Sequence, residues 1–267
     1  LARRVRDLAS RMDGIVILHG TDTMEETAFY LDVTVETATP VVLTGAQRSA
    51  SDPQADGPGN ILDAATVAGH PRAHDRGVMI VMGGEIHAAR SATKADTRDV
   101  DAFDSARPPD LGWVRAGRVH FEGAWLPRVR VPFPTSAPRV DIIPMYAGAD
   151  DAALKAALDR GATGLVIEAV GAGNVSRELY QGILHALQAG IPVVISSRVP
   201  HGGVRPVYAY AGGGVSLAEA GALLSQDLNP PKARALLIAA LGAGLTGREL
   251  GVLFNLPLPT VAERRQR

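Results

Sequence analysis

Three short apolar runs in the first third of the chain each stop at a glycine-containing turn. Residues 14–18 (GIVIL) run into His19-Gly20, residues 40–43 (PVVL) into Thr44-Gly45, and residues 77–82 (GVMIVM) into Gly83-Gly84. Runs this short, rich in Val and Ile and closed by glycine, read as parallel strands buried on both faces. Helix signals lie between them. Thr23 and Glu26 have the spacing of a capping box, with the helix running on toward Leu31. Asn60 is placed to cap the apolar-periodic stretch 61–68. Strand and helix alternate, which predicts an α/β sheet with helices on both faces.

The pattern breaks between residues 126 and 139, where Pro127, Pro132, Pro134 and Pro138 fall. Four prolines exclude a regular helix and a central strand, so this stretch reads as a linker. A second α/β series follows, with strands expected at 140–145, 164–170 and 192–196 and helices at 151–160, 176–189 and 231–241. Residues 212–214 read as a loop. The expected architecture is two α/β domains with mostly parallel sheets, a larger one over residues 1–125 and a smaller one over 140–267.

Charge excludes some functions. Lys plus Arg (27) nearly balances Asp plus Glu (28), so no basic field draws the chain to nucleic acid or to an anionic membrane. Arg3, Arg4 and Arg6, and likewise Arg264, Arg265 and Arg267, read as solvated helix ends. The absence of cysteine excludes disulfides and thiol catalysis. No apolar run reaches membrane-spanning length.

In open parallel sheets ligands gather at the carboxyl ends of the strands. The segments at 19–21, 44–46 and 83–87 should therefore converge. At the first, Thr21-Asp22-Thr23 sets two hydroxyls around a carboxylate at a helix start. A lone Thr or Asp there is ordinarily just a cap, but the free amides also suit a carboxylate or an oxyanion. His19 and His87 sit at strand ends without metal-ligand spacing. They read as packed, hydrogen-bonded residues, and no metal and no cofactor are expected. Gly171-Ala172-Gly173 follows a strand but lacks the third glycine and the downstream acid of a dinucleotide site.

Taken in order, the blocks HGTDTMEETA (19–28), VVLTGAQR (41–48), ADGPGN (55–60) and GEIHAAR (84–90) with Lys94 soon after resemble the bacterial-type L-asparaginase family. The likeness continues through GAGNVS (171–176), SSRVP (196–200) and LNPPKAR (228–234), covering nearly the whole chain. It implies an amidohydrolase that converts L-asparagine and water to L-aspartate and ammonia through an acyl-enzyme. By resemblance Thr21, Asp22 and Lys94 form a Thr-Lys-Asp triad. Gly20, Thr21, Asp22 and Ala46 contact substrate, and Ser176 matches a position that reaches the site of a neighbouring copy, the other reading of Ser176 being a cap on the next helix. The residue types suit the chemistry: Thr21 supplies a hydroxyl, Lys94 relays a proton, and Asp22 holds Lys94 and pairs with a substrate ammonium.

The resemblance further implies a small-molecule substrate, with L-glutamine open beside L-asparagine, and a homotetramer built from intimate dimers. A cytoplasmic location is expected, the periplasm being the alternative. The family's Thr-Gly-Gly-Thr block with the primary nucleophile, its lid tyrosine and a first strand would lie upstream of Leu1. The chain alone is accordingly expected to be inactive and to aggregate. Two other functions share the fold: the amidase subunit of a tRNA-dependent amidotransferase, and a catalytically dead binding protein. Intact Thr21, Asp22 and Lys94 argue against the second.

Overall fold

The structure is a computed structural model, and residues 1–105, 111–122 and 128–254 are described below. The chain forms two compact units, one beginning at Leu1 and ending at Arg130, the other beginning at Val131. Both are α/β, with parallel strands at the heart of each. Of the four prolines of the expected linker, Pro127 lies outside the described residues, as do Arg264, Arg265 and Arg267.

The first unit opens with α1 (Ala2–Ala9), which buries Val5 and Ala9 and leaves Arg3, Arg4 and Arg6 in solvent. Then come β1 (Ile15–Leu18), α2 (Met24–Thr34), β2 (Val41–Thr44), α3 (Gly57–Ala68) and β3 (Val78–Met82). The three strands are parallel and in register, with Val16 beside Val42 and Val42 beside Met79. On that face they pack with Ala64, Val67 and Ala68 of α3. The alternate residues Leu43 and Ile80 are equally buried, as strands covered on both faces require.

The rest of this sheet is antiparallel, which the apolar runs did not announce. Gly83 and Gly84, with φ of 58° and 78°, form a two-residue hairpin turn that L side chains fit poorly. It leads into β4 (Glu85–Ala88), and the ladder ends in the hairpin β7 (Gly112–Arg115) and β8 (Arg118–Phe121). Between them β5 (Ala92–Lys94) and β6 (Phe103–Ser105) make a separate ribbon in which Lys94 pairs with Phe103.

The second unit has a four-stranded parallel sheet in the order β12-β11-β10-β9, built from β9 (Val140–Pro144), β10 (Gly164–Ala169), β11 (Val193–Ser197) and β12 (Leu223–Leu224). Its helices are α4 (Ala152–Asp159), α5 (Arg177–Gln188), α6 (Gly214–Glu219), α7 (Pro230–Gly242) and α8 (Gly247–Phe254). Leu165, Ile167, Val193 and Ile195 form the core with Leu154, Leu179 and Ile183. Gly214, expected in a loop, starts α6.

Two cap assignments are corrected. Thr23 stands at the cap position of α2, but its side chain makes no capping hydrogen bond. Asn60 is not a cap. It lies inside α3, whose first turn takes in Gly57-Pro58-Gly59. Proline in a first turn lacks only a donor that would have no helical partner there.

Candidate active site

The site is assembled at the carboxyl ends of β1 and β2. The His19 amide donates to the Thr44 carbonyl at 2.9 Å, which continues the β1–β2 ladder to the strand tips. A Cβ on Gly45 would sit 2.4 Å from the His19 carbonyl oxygen, so only glycine permits this approach. Directly after β1, Thr21-Asp22-Thr23 form one turn of 3-10 helix leading into α2. Thr21 is buried and Asp22 points into solvent.

Lys94 arrives from the far end of the ribbon. Its backbone amide donates to the Glu25 carboxylate at 3.0 Å, which ties the end of β5 to the first turn of α2. Its ammonium donates to Thr21 Oγ1 at 2.8 Å and to Asp22 Oδ1 at 2.6 Å. The Lys94 side chain is 17% exposed, whereas that of Asp22 is 91% exposed. The hydrogen bond from Lys94, and then its charge, hold the Asp22 carboxyl below the ordinary carboxylate range. Asp22 thus remains an anion at neutral pH, open to a cation from outside as well as to Lys94.

The Thr21 hydroxyl has a second partner that the sequence did not reveal: it donates to Gln47 Oε1 at 3.0 Å. Gln47 is part of a braced turn. Its amide and that of Arg48 donate to the Asp56 carboxylate at 2.9 to 3.2 Å. Burial works to raise the Asp56 pKa, but these amides and the Asn60 side chain outweigh it and hold the group below its usual range. Asn60, 4% exposed, is the hub. Its Nδ2 donates to the Gly45 carbonyl and to Asp56 Oδ2, each at 3.0 Å, while its Oδ1 accepts the Gly83 amide at 3.2 Å. One buried amide thereby ties the ends of β2 and β3 to the start of α3.

Gly20 and Ala46 are both exposed beside this cluster. His19 is hydrogen-bonded locally, its Nδ1 to the Gly20 carbonyl at 2.7 Å and its Nε2 to the Thr27 hydroxyl at 2.9 Å. His87 is buried, with Nδ1 3.1 Å from the Ser105 hydroxyl. Ser176 belongs to the second unit. It caps α5, accepting the Leu179 amide at 3.1 Å and donating to the Ala149 carbonyl at 2.8 Å. Among the described residues no three His, Asp or Glu side chains gather where they could hold a metal ion.

Chemically, the cluster is a hydroxyl pinned between a cation and an amide oxygen, with an open carboxylate beside it. Comparison with known proteins decides what kind of molecule carries it. Residues 1–126 match the family described as "Asparaginase, N-terminal", and residues 139–254 match "Glutaminase/Asparaginase C-terminal domain". A protein of Deinococcus radiodurans named "Probable L-asparaginase" is 43% identical over 96% of this chain and 79% of its own length. "L-asparaginase 2" of Escherichia coli is 37% identical over 96% of this chain and 74% of its own.

The chain belongs to the asparaginase family. Its fold agrees with a solved member, the "Probable Cytoplasmic L-asparaginase" of Campylobacter jejuni, at a TM-score of 0.86 and 35% identity over 95% of this chain and 81% of that one. The protein is therefore an amidohydrolase of the asparaginase type, acting on a small molecule. Among the described residues no helix is long and apolar enough to cross a membrane. The site residues that sequence reasoning missed are Gln47, Glu25, Asp56 and the hub role of Asn60. Gln47 and Glu25 adjoin or share the motif blocks that carry Ala46 and Thr21, and that adjacency is the one signal that could have raised them.

Proposed function

We propose that this asparaginase-family protein hydrolyses L-asparagine to L-aspartate and ammonia through an acyl-enzyme, with Thr21, Lys94 and Asp22 as the proton-handling group. The observation that carries this reading is the Lys94 ammonium at 2.8 Å from the Thr21 hydroxyl and 2.6 Å from Asp22. As a hydroxyl oxygen attacks the side-chain amide carbon, Lys94 passes a proton to the departing nitrogen and takes the hydroxyl's proton in its place. Ammonia leaves, water adds to the acyl carbon, and the ester bond to the enzyme breaks, releasing aspartate and restoring the hydroxyl with a proton from that water. Asp22 keeps Lys94 aligned and pairs with the substrate α-ammonium. The Gly20–Thr21 backbone meets the oxyanion, and the Ala46 carbonyl receives the substrate amide N–H.

The test is to incubate the full-length protein with L-asparagine and, separately, L-glutamine, measuring ammonia and the amino-acid product. One aspartate per ammonia from asparagine is expected. A folded protein that forms no aspartate would overturn the proposal.

We extend the proposal to a homotetramer, with a cytoplasmic location. The Ser176 hydroxyl uses its proton and one lone pair within its own unit. One lone pair remains, enough to accept a hydrogen bond from a neighbouring copy's substrate. Light scattering that finds a fully active monomer would refute the assembly. For the compartment, the Campylobacter relative is named cytoplasmic, while a "Probable L-asparaginase periplasmic" of Haemophilus influenzae is 39% identical over 90% of this chain and 69% of its own length. Cell fractionation separates the two.

A further inference from the structure

The Thr21 hydroxyl donates to a residue outside the triad, Gln47. We propose that Gln47 is a positioning residue, which fixes the Thr21 hydroxyl in the one rotor state that turns a lone pair toward Lys94. The inference rests on the triad reading above and adds a residue to it.

The amide orientation of Gln47 follows from its neighbours. Its Nε2 faces the carbonyl oxygens of Asp96 and Asp99 at 3.4 and 3.3 Å, long contacts but both to acceptors. Its Oε1 faces Thr21 at 3.0 Å. Turned over, the amide would set its oxygen against two carbonyl oxygens, so the network settles the assignment. An amide oxygen only accepts, so Thr21 must be the donor in that contact. While Lys94 is charged, the Thr21 hydrogen is committed to Gln47 and the oxygen meets Lys94 through a lone pair; the hydrogen turns to Lys94 once Lys94 has passed its own proton on. A hydroxyl with a single partner would rotate between states, and in some of them its hydrogen would confront the Lys94 ammonium.

Both ends of Gln47 are held firmly enough to enforce this. Its backbone is fixed by the Asp56 carboxylate. The loop that receives its Nε2 is closed by the Ala95 and Asp96 amides on the Ala102 carbonyl at 2.8 and 3.2 Å. Asp96 Oδ1 pins the loop from within, accepting the Arg98 and Asp99 amides at 2.6 and 2.9 Å. The same loop directly follows Lys94, so one turn sets the position of both groups that touch Thr21.

The experiment compares Gln47→Leu, Gln47→Glu and Lys94→Met in the full-length protein, reading kcat, KM, Tm and the pH dependence of kcat. Gln47→Leu keeps the bulk and removes the acceptor. It should lower kcat about ten-fold, the worth of one oriented hydrogen bond, with KM and Tm nearly unchanged. Gln47→Glu keeps both contacts only while its carboxyl is protonated, accepting from Thr21 and donating to a carbonyl of the Asp96–Asp99 loop. Its kcat should therefore recover at low pH and fall along a new limb as the carboxyl ionises against those carbonyls. A side chain that merely filled space would not create that limb. Wild-type kcat in Gln47→Leu beside an inactive Lys94→Met would overturn the positioning role and leave the triad standing. Wild-type kcat in both would overturn the triad reading itself. Should Gln47→Leu fail to fold, the Gln47→Glu profile decides: the new limb, with kcat falling as the carboxyl ionises, supports the role, and an unchanged profile refutes it.

Discussion

The strand ends of the two units are built alike and used differently. In the second unit the hydroxyls at the strand tips are bound to backbone. Ser196 donates to the Leu228 carbonyl at 2.7 Å, Ser197 to Gly171 at 2.7 Å, and Ser225 again to Leu228 at 2.8 Å. Such bonds close loops over a sheet and leave the oxygen little freedom. In the first unit Thr44 behaves the same way, donating to the Val81 carbonyl at 2.7 Å. Thr21 does not: both of its partners are side chains, one of them an ammonium. A parallel sheet thus supplies convergent strand ends in either unit, but chemistry is possible where a hydroxyl is held by side chains that can exchange or follow a proton.

The comparison can be broken by substitution. The largest expected effect is at the site. Thr21→Val keeps shape and removes the hydroxyl, and should cut turnover by about 10² to 10⁴, the worth of positioned proton transfer. Asp22→Ala should fall in the same range. Steady-state ammonia release reads both, and turnover within a few-fold of wild type in Thr21→Val would remove the distinction between Thr21 and the structural hydroxyls.

Next in size is Asn60→Ala, which leaves the Gly45 carbonyl and the Gly83 amide without their buried partner. Unfolding by denaturant should show a loss of about 2–4 kcal/mol. A loss below that range would mean that water replaces the hub.

Asp56→Asn should cost less, about 1–3 kcal/mol at neutral pH, and its cost should depend on pH. The folded protein holds the Asp56 pKa below its unfolded value. The stabilisation is therefore fully present above about pH 4, the unfolded pKa, and is lost as pH falls through the lower folded value. Thermal melts of both proteins from pH 7 downward should converge at the acid end, and a gap that stays constant would contradict the assignment. The smallest change is at Ser176. Ser176→Ala removes the α5 cap at about 1 kcal/mol and, in the proposed tetramer, should raise KM a few-fold while sparing kcat. Loss of stability with an unchanged KM would confine Ser176 to its cap.

Much of this was legible in the sequence. The runs at 14–18, 40–43 and 77–82 became β1, β2 and β3, because continuous Val and Ile between glycines have few other uses. The antiparallel half of the first sheet was hidden. Its strands are four residues long, and β8 (RVHF) alternates exposed Arg118 and His120 with Val119 and buried Phe121, so no apolar run marks it. Asn60 was misread for a local reason. Asn ahead of an apolar stretch is a capping signal, and Gly57-Pro58-Gly59 looks like a helix breaker until the tertiary ties of the side chain are known. At the site, the sequence presented Thr21, Asp22 and Lys94 as residue types in motif order. It could not show that a ribbon returns Lys94 across more than seventy residues to Thr21, nor that Gln47 takes the other side of the hydroxyl. Those are distances, and distances come from packing.

The central claim is that the contact between Lys94 and Thr21 moves the proton. The most direct test is Lys94→Met in the full-length protein, which keeps an unbranched chain of similar length and removes the ammonium. Ammonia release from L-asparagine under saturating substrate, with Tm measured alongside, should fall by about 10² to 10⁴ in a protein that melts near the wild-type temperature. Near-wild-type turnover in the folded variant would contradict the account.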